Sequence, residues 1–133
     1  MYLLDTNACI QVLNGTSRAL IERFKAESPA TIRLCSIVKA ELLYGARKSR
    51  SVAMALTRLS QFFAPLTSVS FDDACAEEYG RIRADLAAAG TPIGANDLMI
   101  AAIARHYDWT VVTNDIDEFV RVTGLRVEDW QAA

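Results

Sequence analysis

Four carboxylates stand at positions where an acid is either costly or well placed, and together they limit the chemistry open to this chain. Asp5 ends the apolar run at residues 1–4 and is followed by Thr6 and Asn7. Asp115 follows a second β-leaning run, Thr110-Val111-Val112-Thr113-Asn114. Asp97 opens the apolar stretch 98–104. Glu41 interrupts a helix-forming segment, and its neighbours at helical spacing, Ile37, Val38, Tyr44 and Gly45, include no cation. A carboxylate on an apolar helix face costs free energy unless something holds it, whether solvent, a distant arginine or a metal ion. Each acid taken singly has an ordinary explanation; Asp97, for one, suits the positive end of a helix dipole.

If the four converge, their mutual repulsion is large. At an effective dielectric of ~20, a close pair costs several kcal/mol, so protons or a cation must sit among them. Oxygen-only donors suit the hard ions Mg²⁺ or Mn²⁺. An acid-held divalent ion favours phosphoryl chemistry, because it activates water and stabilises charge on phosphate oxygens. Other routes to phosphate chemistry are missing: the sequence has no GxxxxGK[ST] loop, no GxGxxG fingerprint and no GxSxG elbow. Asp5 has no second Asp two residues on, as a covalent aspartyl-phosphate mechanism would use. One histidine, His106, is too little for a histidine-based zinc site, and reads as an ordinary helix residue.

These acids need elements to aim them. Residues 1–4 read as a buried strand that delivers Asp5 at its carboxyl end, where open α/β sheets bind ligands. Thr6 or Asn7 is expected to cap a short helix closed by Gly15, and Ser17 a second helix over 18–27. A strand follows at 31–35, then a helix from Ser36 to about residue 46 that carries Glu41. Arg47, Lys48 and Arg50 form a basic cluster before a helix over 52–63. A short extended segment at 66–69 leads to a long helix ending near residue 89, with Ala74, Cys75, Tyr79, Ile82 and Leu86 as its inner stripe. Asp97 begins a helix to about residue 107 that is apolar on all sides. A strand at 110–113 delivers Asp115, a short turn or helix at 115–119 carries Asp117 and Glu118, and a last strand lies at 125–127. Trp130 is expected to fold back onto the body. Alternating strands and helices argue for a parallel sheet covered on both faces.

The chain has 133 residues and is 52% apolar, enough for one domain, 1–133, with a core that needs no staples. A net charge of −2 means that any nucleic acid must be met by a local basic patch or through metal ions. Cys9, Cys35 and Cys75 fit no zinc or CxxC spacing; they read as small core hydrophobes and suit a reducing cytoplasm. No secretory leader is expected, and no apolar run approaches the ~20 residues that span a membrane.

The quoted stretches also resemble a known family. The N-terminal Leu-Leu-Asp5-Thr6-Asn7 and the Glu41 segment Val38-Lys39-Ala40-Glu41-Leu42-Leu43-Tyr44-Gly45 are two of its marks. The block Ile93-Gly94-Ala95-Asn96-Asp97-Leu98, and Val112-Thr113-Asn114-Asp115 followed by Glu118-Phe119, complete the set. In that order and spacing they are similar to PIN-domain ribonucleases, and more narrowly to the VapC toxins of VapBC type II toxin–antitoxin modules. The resemblance covers essentially the whole chain. It implies a three-layer α/β/α sandwich with a short, mainly parallel central sheet, and a Mg²⁺- or Mn²⁺-dependent endoribonuclease acting on structured RNA, often tRNA. It implies a VapB-type antitoxin as partner and a homodimer, while the cysteine usage points to a cytoplasmic location. By matching position it makes Asp5, Asp97 and Asp115 metal ligands and Glu41 a ligand or the residue that orients the attacking water. Asn7 and Thr113 become supporting hydrogen-bonders and Asp117 a peripheral acid. Two other readings stay open: a non-catalytic domain whose acids hold a metal or a partner's arginine, and a metal-dependent DNA nuclease or phosphatase.

Overall fold

The computed structural model describes residues 1–131; the last two residues of the domain expected at 1–133 lie outside it. Five strands form one sheet, β1 (Tyr2–Leu4), β2 (Ile32–Cys35), β3 (Thr67–Val69), β4 (Thr110–Val112) and β5 (Arg126–Glu128), in the order β3-β2-β1-β4-β5. Every pairing is parallel. Successive side chains on a strand point to opposite faces. Leu3 and Leu4 on β1, and Val111 and Val112 on β4, are all buried, so the sheet is covered on both sides. The edge strands β3 and β5 carry no fully buried residue.

Seven helices supply the cover: α1 (Thr6–Asn14), α2 (Arg18–Ala26), α3 (Ser36–Arg47), α4 (Val52–Phe63), α5 (Asp73–Ala88), α6 (Ala95–Tyr107) and α7 (Ile116–Phe119). The sandwich implied by the resemblance is the fold observed. Gly15 takes the left-handed conformation at the end of α1, φ 67°, as its place after the helix required. Helix α6 buries Leu98 and the run Ile100, Ala101, Ala102, Ile103 and Ala104, in keeping with its all-round apolar pattern. Trp130 is buried edge-on to Tyr2, with ring centroids 5.1 Å apart. All three cysteines are free and buried.

Two details differ from the sequence reading. The cap of α1 is Asp5 itself, whose carboxylate accepts from the Ala8 N–H at 2.8 Å; Thr6 and Asn7 lie inside the helix. The strand therefore turns into the helix one residue earlier, and the acid does double duty at the junction. Ala74 is exposed on α5, where Cys75, Ile82 and Leu86 make the buried stripe. A small residue at a helix start carries little information about which way it faces.

The strand order creates the site. From β1 the chain moves outward through β2 to β3, then returns to the other side of β1 as β4. Leu4 pairs with Val112, and the Asp5 N–H continues the ladder onto the Val112 carbonyl at 3.1 Å. At such a reversal the helices leaving the two neighbouring strands diverge and open a crevice at the carboxyl ends.

Candidate active site

Asp5 lies at the bottom of that crevice. It is only 3% exposed, and its pKa is raised to about 6. Burial is the main cause; the neighbouring charges of Asp115 and Glu41 add to it, while hydrogen bonding with Thr113 and the Ala8 N–H opposes it. Thr113, itself buried, also accepts from the Asp115 N–H at 2.8 Å. The hydroxyl thus ties the end of β4 to the loop that carries Asp115, beside the end of β1.

A cleft of about 810 Å³ opens above Asp5. Its lining includes Thr6 and Asn7 from α1, Glu41 from α3 and Asp97 from α6. Helices α1 and α6 both pack on α3, and this packing turns Glu41 toward the carboxyl end of β1. The partner that Glu41 needed is the Thr6 hydroxyl, which donates to its Oε1 at 2.7 Å. No arginine is involved, and Oε2 has no protein hydrogen-bond donor among the described residues.

At the start of α6, where Gly94, Ala95, Asn96 and Asp97 line the cleft, three acids cluster. Asp97, in the first turn of α6, Asp115, and Glu118 on α7 each place a carboxylate oxygen within 4.8 Å of the others. Glu118 also accepts from the Gly94 N–H at 3.2 Å, which fixes α7 against the start of α6. The three shift one another's ionisation. Burial, then hydrogen bonding and charge from Glu118, push Asp97 up to about 8, and Asp115 rises for the same reasons. Glu118 moves down, chiefly because Asp97 hydrogen-bonds to it. Fully ionised, three carboxylates at this spacing would repel by roughly 3 kcal/mol per pair before solvent screening reduces it. Asp97 is therefore the acid of the group that holds its proton near neutral pH.

The donor set fits a hard divalent cation. It is all oxygen, it converges, and Asp97 within it resists ionisation. Asp97, Asp115 and Glu118 are placed to hold such an ion, with Asp5 at the floor beside them.

All four acids singled out in the sequence are drawn to this crevice. Asn7 lines it and Thr113 supports its floor. Asp117 is exposed on α7 and outside the three-acid group; it reaches the site only as a charge that raises Asp115 further. Two residues of the site were missed by sequence reasoning. Glu118 stands i+3 from Asp115, a spacing that puts both on one helix face, whereas Asp117 at i+2 points elsewhere. That rule, applied to the short helix, would have found it. Thr6 carried no such signal, because its link to Glu41 spans 35 residues of sequence.

Comparison with known proteins adds to the geometry. Residues 2–125 match the family model described as PIN domain. The chain is 40% identical to the "tRNA(fMet)-specific endonuclease VapC" of Salmonella typhimurium, over 97% of both chains. It is 37% identical to "Ribonuclease VapC2" of Rickettsia felis, over 98% of both. Among solved structures it is similar to the DNA-bound VapBC of Salmonella typhimurium, with a TM-score of 0.91 and 39% identity over 97% of each chain.

Proposed function

The chain belongs to the PIN-domain family, and from that premise we propose that it is the toxin of a VapBC-type toxin–antitoxin module, a divalent-metal-dependent endoribonuclease that cuts tRNA. The observation that carries the proposal is the group of Asp97, Asp115 and Glu118 beside Asp5, at a cleft open to a large ligand. The specificity in the name of the Salmonella typhimurium relative makes initiator tRNA the first substrate to try. The solved relatives from Salmonella typhimurium and Rickettsia felis are toxin–antitoxin complexes on DNA, which supports a VapB-type antitoxin as partner here. The reading includes residues 1–133 acting as one domain, a homodimer and a cytoplasmic location. No helix among the described residues is long and apolar enough to cross a membrane.

Each side chain then has a role. Asp5, Asp97 and Asp115 hold the ion, and Glu118 completes the set. A bound Mg²⁺ or Mn²⁺ supplies positive charge for a phosphate oxygen and lowers the pKa of water at neutral pH. Glu41, fixed through Oε1 by Thr6, offers Oε2 to orient the attacking water and accept its proton. Thr113 keeps Asp5 and Asp115 in register, and Asn7 contributes a polar contact at the cleft wall.

The test uses purified chain freed of antitoxin, total RNA and Mg²⁺, with every new 5′ end sequenced. Single-stranded DNA and a small phosphomonoester run alongside. The proposal predicts one dominant cut in tRNA, lost in EDTA and in Asp97→Asn, with both other substrates untouched. Cleavage that survives Asp97→Asn, or that prefers DNA, contradicts it.

A further inference from the structure

The cleft-facing side of α3 does not stop at Glu41. Three, four and seven residues on stand Tyr44, Gly45 and Lys48, which line the same cleft as Asp5 and Asp97. This is the spacing of one helix face. Tyr44 is 67% exposed, the most exposed aromatic among the described residues. A large ring left in water beside a reaction site has apolar faces available to a ligand.

Gly45 sharpens the point. Its φ is not positive, and a Cβ built there would meet nothing within 4 Å. Neither backbone conformation nor packing asks for glycine, although glycine inside a helix is less stable than alanine. What the missing side chain does is leave the wall of the cleft open between Glu41 and Lys48.

Lys48 caps the carboxyl end of α3, with its ammonium 4.9 Å from the centre of the Tyr44 ring. An exposed cation–π contact is weaker than a nucleobase stacked on an aromatic ring, so a base can displace the ammonium. The freed charge, with exposed Arg47 and Arg50 nearby in the chain, then has a phosphate within its chemistry. The cleft is thus acidic at its floor, aromatic along one wall and basic at that wall's outer end, an order that suits a nucleotide whose phosphate is cut at the floor.

We propose that Tyr44, Gly45 and Lys48 form a nucleotide subsite beside the acids, in which Tyr44 stacks on an unpaired base flanking the cleaved phosphodiester and Lys48 meets the adjoining phosphate. The proposal rests on the ribonuclease reading. Single-stranded loops, whose bases can leave the stack, are the RNA elements such a subsite would take.

The test measures cleavage of bulk tRNA with Mg²⁺ by the parent chain, Tyr44→Ala, Tyr44→Trp and Gly45→Ala, with melting curves for each. Binding of the same tRNA is measured by anisotropy in an Asp97→Asn background, where no cut occurs. Tyr44→Ala is expected to raise KM and the tRNA Kd about 10-fold or more, with kcat within about twofold and Tm unchanged, because stacking contributes binding at an exposed ring. Tyr44→Trp restores both constants. Gly45→Ala raises Tm yet also raises KM, a split that a merely structural glycine would not give. Unchanged KM and Kd in Tyr44→Ala, beside a parent chain that cuts, overturns the subsite alone. The same holds if that variant spares tRNA but loses hold of the co-purified antitoxin, since the face would then serve a protein partner. A parent chain that neither binds nor cuts tRNA removes the ribonuclease reading and the subsite with it.

Discussion

The two walls of the cleft hold their carboxylates in opposite ways. On the α3 wall, Glu41 has a dedicated neutral donor, the Thr6 hydroxyl at 2.7 Å. On the α6–α7 side, Asp97, Asp115 and Glu118 have chiefly one another, which makes Asp97 and Asp115 harder to ionise. A carboxylate with its own donor is positioned; three carboxylates without a cation are poised to receive one. Chemistry at a phosphodiester needs both conditions, an oriented base and a site for positive charge, and the chain supplies the first from α3 and the second from the start of α6 with α7.

The largest test of this contrast removes a charge from the poised wall. Asp97→Asn should lower cleavage by about 1,000-fold, as expected for losing a metal ligand that stabilises transition-state charge. The same substitution should stabilise the metal-free fold. Raised pKa values, about 6 for Asp5 and about 8 for Asp97, mean that the folded chain binds protons more tightly than the unfolded one. Their stabilising contribution is complete below pH ~4 and is lost as pH rises through those two values. Metal-free Tm should therefore fall between about pH 4 and pH 8, and Asp97→Asn should recover several degrees at pH 8 and much less at pH 5. Saturating Mg²⁺ should flatten the parent's curve. Asp72, held low by the Cys75 N–H, titrates on the acid side and leaves this window clear.

A smaller effect is expected from Glu118→Gln, which keeps the contact with the Gly94 N–H but removes a charge. Metal affinity should fall by about 10–100-fold, read by Mn²⁺ titration, and maximal cleavage should return at high metal. Thr6→Val tests the other wall. It leaves Glu41 unoriented while sparing the three acids, so cleavage at saturating metal should drop about 10-fold, with metal affinity unchanged. If Thr6→Val weakens the metal instead, the division between the walls is wrong. Smallest of all, Asp117→Asn should change cleavage less than twofold, because its carboxylate lies outside the group.

The same contrast decides what could be read from the sequence. Asp5 and Asp97 were legible because each borders an apolar stretch, Leu3-Leu4 or Leu98 onward, whose burial is fixed by the core. Burial of those neighbours leaves the acid at an element's end with one direction to face. Glu41 was legible as an anomaly, an acid on a face without a cation, but its partner was not, since Thr6 meets it through tertiary packing of α1 on α3. Glu118 was obscured by its own neighbourhood. Within the four residues of α7, two adjacent positions, Asp117 and Glu118, are acids, and only the phase of that single turn selects one. The sheet order that brings β1 beside β4 follows from the strand–helix alternation only once the reversal is known, and the reversal is what gathers the acids.

The most direct test of a proton-holding wall awaiting a cation is calorimetric titration of the metal-free chain with Mn²⁺ at pH 7, in two buffers of different ionisation enthalpy. Ligands that must deprotonate release protons when a metal binds. Binding should therefore release protons from the parent chain, with weaker binding and less release in Asp97→Asn. Binding with no proton release, or binding that Asp97→Asn leaves intact, would contradict the central claim.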